Sequence, residues 1–102
     1  TSIYNQWNIA SAKSLGPVTL NTWNHFVVTR NGSTFTAYKN GVQTATWESA
    51  IAFTAPSGNT ELIFGRYTYG SHYLFNGSLD DVRIYNQALS GSDVTRLYNL
   101  SR

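Results

Sequence analysis

Hydrophobic residues recur at every second position through much of the chain, the spacing of strands with one buried face. In residues 3–9, Ile3, Trp7 and Ile9 keep strand-compatible spacing, with Asn5 interrupting it. Residues 11–16 are polar, end on Gly16 and precede Pro17, which predicts a loop. Residues 23–30 predict a strong strand, with Phe26 and Val28 facing one way and His25, Val27 and Thr29 the other. Asn31-Gly32 then predicts a type I′ turn, because both residues accept positive φ. Residues 33–39 return as the partner strand, alternating Phe35 and Ala37 against Thr34, Thr36 and Tyr38. Asn40-Gly41 repeats the turn, and residues 42–47 form a third strand, making an antiparallel meander.

The later half is less regular. Residues 52–60 carry Pro56 and Gly58 and predict a loop. Residues 61–66 predict a strand with Leu62 and Phe64 on one face, and residues 67–73 are an aromatic stretch broken by Gly70. Asn76-Gly77 is a third turn signal. Residues 79–85 predict a strand, with Val82 and Ile84 facing the core. Ser90 is a good N-cap, with Asp93 three residues later, and Val94, Leu97 and Tyr98 make one apolar stripe on a short closing helix. Short antiparallel strands with glycine turns predict an all-β sandwich or jelly roll.

Composition narrows the classes. The 102 residues suit one domain. Aromatics are 15% and charged residues 12%, too apolar for a disordered tail. Net charge is +2, but Lys13, Arg30, Lys39, Arg66, Arg83 and Arg96 are dispersed, so the pattern argues against a nucleic-acid partner. There is no cysteine, hence no disulfide and no thiolate site. No stretch is long and apolar enough to predict membrane insertion. There is no Met, which points to a processed product, an excised domain or a fragment.

Several segments resemble the laminin-G-like jelly rolls of the concanavalin A-like lectin/glucanase superfamily. Residues 23–32, WNHFVVTRNG, are similar to the family's W-x-H hairpin, and Tyr38-Lys39-Asn40-Gly41 resembles its Y-V-D-G turn with Asn40 in place of Asp. Ile63-Phe64-Gly65 resembles a later strand, and residues 75–90, FNGSLDDVRIYNQALS, resemble the family's ending. The resemblance implies an antiparallel β-sandwich (a concanavalin A-like jelly roll) over residues 1–102, with one short C-terminal helix. The complete domain of that family is longer, so the chain corresponds to its later part. The expected consequence is an incomplete sandwich, finished by another protein chain or by a segment that precedes it; the alternative is a genuinely shortened version of the domain.

The candidate chemistry is one of binding. Glycosidases of this fold need two carboxyl groups flanking the scissile bond. Glu48 and Glu61 are isolated, and the adjacent Asp80 and Asp81 point to opposite faces of a strand, so the expectation is no enzyme. Tyr67, Tyr69, His72 and Tyr73 form an aromatic, polar-tipped stretch suited to stacking on sugar rings and bonding their hydroxyls. Trp47, at a strand end, is a further stacking or interface candidate, whereas Trp7 and Trp23 are expected in the core. Asp80 shares the parity of Val82 and Ile84, and the resemblance implies a structural Ca²⁺ near this strand to which Asp80 would contribute; the other reading is that Asp80 caps backbone N–H groups in the neighbouring loop while Asp81 pairs with a basic residue. Asn31, Asn76 and Asn99 each open an N-x-S pattern, better explained as turns for the first two. The functional expectation is a non-catalytic carbohydrate-binding domain, extracellular, at a cell surface or on a virion, with a glycan as partner. The alternative is a structural or assembly domain without its own sugar site.

Overall fold

The structure, a computed structural model, describes residues 2–5 (as backbone), 13–50, 63–66 and 74–101. Its elements are β1 (Ser2–Asn5), β2 (Lys13–Pro17), β3 (Phe26–Asn31), β4 (Thr34–Lys39), β5 (Val42–Glu48) and α1 (Gly91–Leu100). Among the described residues β1 and β2 pair antiparallel, and β3, β4 and β5 form an antiparallel meander in that order. Residues 1–53 with 85–102 make one unit and residues 54–84 another.

The meander follows the alternation predicted for it. Phe35 and Ala37 of β4 are buried, and Phe35 stands opposite Arg30 and Trp47. The opposite face carries two polar rows, Thr29–Thr36–Thr46 and Asn31–Thr34–Glu48. Lys39 pairs with Val42, so Asn40 (φ 50) and Gly41 (φ 81) are the central residues of a two-residue turn. Both have positive φ, as a type I′ turn requires. The first hairpin differs from expectation by one position. Asn31 pairs with Thr34, which leaves Gly32 (φ 61) and Ser33 as the turn. Glycine then stands at the first central position, the place a type II′ turn reserves for it.

β2 was expected as loop and is a strand. Its register with β1 shifts between Ile3 and Tyr4, which pair with Gly16 and Ser14, so Leu15 is the extra residue of a bulge. The bulge frees Leu15 from the ladder, and its side chain is buried. β2 lies against β4 and β5, where the Thr44 hydroxyl donates to Leu15 O at 3.0 Å.

β3 begins at Phe26, three residues later than expected, and this places Trp23 outside the core, 69% exposed. Asn24 organises the preceding loop instead. Its side-chain amide donates to Thr19 O and Thr22 O, both at 2.9 Å, and its Oδ1 accepts from Thr19 N–H.

Helix α1 forms as the capping pattern predicts. Ser90 Oγ accepts from Asp93 N–H, and the Asp93 carboxylate accepts from Ser90 N–H and Oγ–H. Val94 is fully buried, while Leu97 and Tyr98 are half-buried. The helix is fastened to the β4–β5 turn by Thr95 Oγ1, which donates to Gly41 O at 2.9 Å.

In the unit of residues 54–84, Arg66 and Leu74 form an antiparallel bridge, and Phe75 N–H donates to Gly65 O at 2.7 Å. Residues 79–85, expected as a strand, are not one. Asp81 adopts φ 54, with its N–H held by the Asp80 carboxylate at 2.7 Å, and a left-handed residue interrupts an extended run. Val82 and Ile84, expected in the core, are exposed. Among the described residues the jelly roll is therefore partial and not closed into a full sandwich.

Candidate functional site

Two surfaces stand out. The first is a groove of about 410 Å³ over the polar face of β3 and β4. Thr29, Asn31, Thr34, Thr36 and the mostly buried Tyr38 floor it. Residues 88–91, leading into α1, form the wall. The lining carries hydroxyl and amide groups and no Asp, Glu, Lys, Arg or His. It can donate and accept hydrogen bonds but offers no counter-charge, which suits a neutral polar ligand over an ion. Its volume lies at the small end of ligand sites, roughly 300–1,000 Å³.

The second is apolar. Leu74, Phe75, Leu79, Val82 and Ile84 are all exposed within eleven residues. Among the described residues five apolar side chains are buried, against eleven large ones exposed. A water-soluble monomer rarely leaves large contiguous apolar surface open.

The expected site residues fare unequally. Tyr67, Tyr69, His72 and Tyr73 lie outside the described residues. Trp47 is half-buried, its indole stacked on the Phe35 ring at 5.4 Å and 9°. Its Nε1–H is buried without a hydrogen-bond partner among the described residues. Arg30 lies over the other ring of this pair, 5.5 Å from the Phe35 centroid. Asp80 is exposed and does not point into a core as its parity suggested, because the strand that set the parity is absent.

The two acids nearest the calcium expectation have local partners. Asp80 binds the neighbouring N–H, and Asp81 accepts from Arg83 Nε at 2.8 Å. Among the described residues no three His, Asp or Glu gather as a metal-holding group.

The other described carboxylates serve local structure. Thr34 Oγ1 and Ser33 Oγ donate to Glu48 at 2.7 and 2.9 Å, holding its pKa below the ordinary value, with the Thr34 bond the larger cause. Ser90 does the same for Asp93, through its hydroxyl first and its backbone N–H second. One residue of consequence escaped the sequence reading. Asn40 Oδ1 accepts from His25 N–H at 2.9 Å while Asn40 N–H donates to His25 O, tying the turn to the start of β3. Its left-handed backbone, foreseeable from Asn-Gly, makes that reach possible.

Comparison with known proteins agrees with this architecture. The family profile Laminin_G_3, described as the concanavalin A-like lectin/glucanases superfamily, matches residues 2–95. No curated protein matches the chain. The crystal structure of an S-layer domain-containing protein (residues 221–444) from Clostridium thermocellum ATCC 27405 is similar, with a TM-score of 0.58 and 24% identity. The match covers 86% of this chain and 45% of that one, so this chain spans less than half of the solved domain's length. At that identity the likeness concerns the fold.

Proposed function

Because the chain belongs to the Laminin_G_3 family of the concanavalin A-like lectin/glucanase superfamily, we propose that it is a non-catalytic assembly domain of a cell-surface protein, its open jelly roll completed by a second copy. The observation that carries this reading is the exposure of five large apolar side chains, Leu74, Phe75, Leu79, Val82 and Ile84, within residues 74–84. Fully burying such side chains is worth about 1.5–3 kcal/mol each, a strong drive toward a partner. The similar solved chain is longer, with 45% of it matched by this one, so further polypeptide is needed to finish such a fold, and a second copy is the source tested below. The surface location rests on the S-layer description of that protein. The non-catalytic reading is supported by the local partners of the described carboxylates, Glu48, Asp80, Asp81 and Asp93, in turns, caps and strand contacts.

Sedimentation equilibrium across a concentration series tests the proposal. The expected result is a reversible monomer–dimer equilibrium that Leu79→Lys or Ile84→Lys shifts to monomer without loss of β-sheet circular dichroism. A monomer at every concentration overturns it.

A second reading, binding of a neutral glycan, is favoured by the groove alone. Its charge-free hydroxyl lining has the right complementarity, and Tyr67, Tyr69, His72 and Tyr73, or Trp47, could supply stacking surfaces. Affinity electrophoresis through gels containing neutral polysaccharides tests it. Retardation lost in Thr36→Val but kept in Tyr67→Ala, Tyr69→Ala, His72→Ala and Tyr73→Ala supports the groove. Retardation lost only in the aromatic variants places the site in residues 67–73, and none with wild-type protein ends the glycan reading.

A further inference from the structure

The three Asn-Gly pairs differ chemically although they read alike in sequence. An asparagine followed by glycine is prone to cyclise. The backbone nitrogen of the glycine attacks the asparagine side-chain carbonyl carbon, a C–N bond forms, and the amide nitrogen leaves as ammonia. Water then opens either carbonyl of the cyclic imide, giving aspartate or isoaspartate. The net change is NH₂ for OH, and only water is consumed. The reaction needs a side chain free to swing onto the following nitrogen.

Two of the pairs resist this geometry. Asn40 has its Oδ1 fixed by His25 N–H, and Gly41 lies under Tyr98, whose atoms stand 3.1 and 3.3 Å from where a glycine Cβ would be. Asn31 belongs to β3 and is paired with Thr34, which holds it extended ahead of a tight turn. Asn76 shares its exposure with Asn31, but it lies outside any strand or helix, so no ladder pairing holds its backbone. Gly77 is also exposed.

We propose that Asn76 is a site of spontaneous deamidation, and that the resulting carboxylate weakens self-association. The second half rests on the assembly reading above. Asn76 sits beside Phe75 and three residues before Leu79, among the exposed apolar side chains offered to a second copy. A new anion there must be desolvated for the surfaces to meet, so association weakens as the chain ages.

The experiment incubates the purified chain in mildly alkaline buffer at body temperature and follows it by peptide mass mapping and charge-resolved chromatography. The expected result is a mass gain equal to NH₂-to-OH exchange on the peptide holding Asn76, before any on those holding Asn31 or Asn40. Asn76→Gln, whose longer side chain closes a less favoured ring, should abolish it. Faster conversion at Asn31 or Asn40, or none at Asn76, overturns the proposal. Asn76→Asp is then compared by sedimentation equilibrium, where at least a several-fold weaker dimer is expected. An unchanged dimer refutes the link to association while the chemistry stands. Conversion at Asn76 in a chain that is monomeric throughout removes the assembly reading and leaves the modification site.

Discussion

Asn40 and Gly41 concentrate much of the order of the larger unit into two residues. Asn40 fastens the turn to β3, and Gly41 accepts the hydroxyl that anchors α1 while leaving room for Tyr98. Gly41→Ala should therefore be costly twice over, from a left-handed backbone (φ 81) and from overlap with Tyr98. A loss of about 2–5 kcal/mol in urea unfolding is expected, from about 1–2 for the left-handed position and 1–3 for overpacking. Gly32→Ala offers the control, since nothing lies within 4 Å of its Cβ position, and should show only the backbone part. Protonation is also read at single residues. Glu48 and Asp93 both have lowered pKa values, so their hydroxyl bonds contribute stability that is complete above their ordinary values of 4.5 and 3.8. That contribution is lost as pH falls through the lower, folded-state values. The urea midpoint should drop on acidification below those ordinary values, and less steeply in Glu48→Gln/Asp93→Asn; an equal drop in both proteins would contradict the assignment. The same scale shows what a sequence can conceal. Three Asn-Gly pairs carry one local propensity, yet only Asn40-Gly41 becomes the expected turn. Ladder pairing moved the first turn one residue along, and at residues 76–77 no described strand pair exists to close one.

Among the elements, α1 and the β3–β5 meander were legible because their determinants are local. The capping box lies within four residues, and each hairpin needs only alternating faces about a two-residue turn. Ser90→Ala removes the hydroxyl that bonds Asp93 N–H and should cost about 1 kcal/mol, seen as a lower thermal midpoint. Ser90→Asn or Ser90→Asp, which also cap well, should recover most of it. If Ser90→Ala leaves the midpoint unchanged, the helix is held by Val94 and Thr95 alone. β2 was not legible, because its Gly and Pro resemble a loop until a bulge against β1 turns Leu15 inward. Residues 79–85 failed in the opposite direction. Their alternation is sound, but a strand also needs a neighbour, and the Asp80–Asp81 contact with its left-handed φ prevails where none is supplied. The groove could be read only afterwards, since it depends on Thr29 and Thr36 standing side by side while residues 88–91 pass above them.

At the scale of the whole molecule, the balance of buried and exposed apolar side chains among the described residues is the governing fact. Leu15, Phe35, Ala37, Tyr38 and Val94 make a small core within the larger unit, while Leu74, Phe75, Leu79, Val82 and Ile84 stay open in and around the smaller one. The family match places the same sequence in a fold that a longer solved chain completes. Hydrogen–deuterium exchange, read by mass spectrometry at dilute and concentrated protein, examines this most directly. Completion by a second copy predicts that amides of residues 74–84 gain protection with concentration, while those of α1 exchange alike in both samples. Strong protection of residues 74–84 in the dilute monomer would show that one chain closes its own core, and would contradict the account.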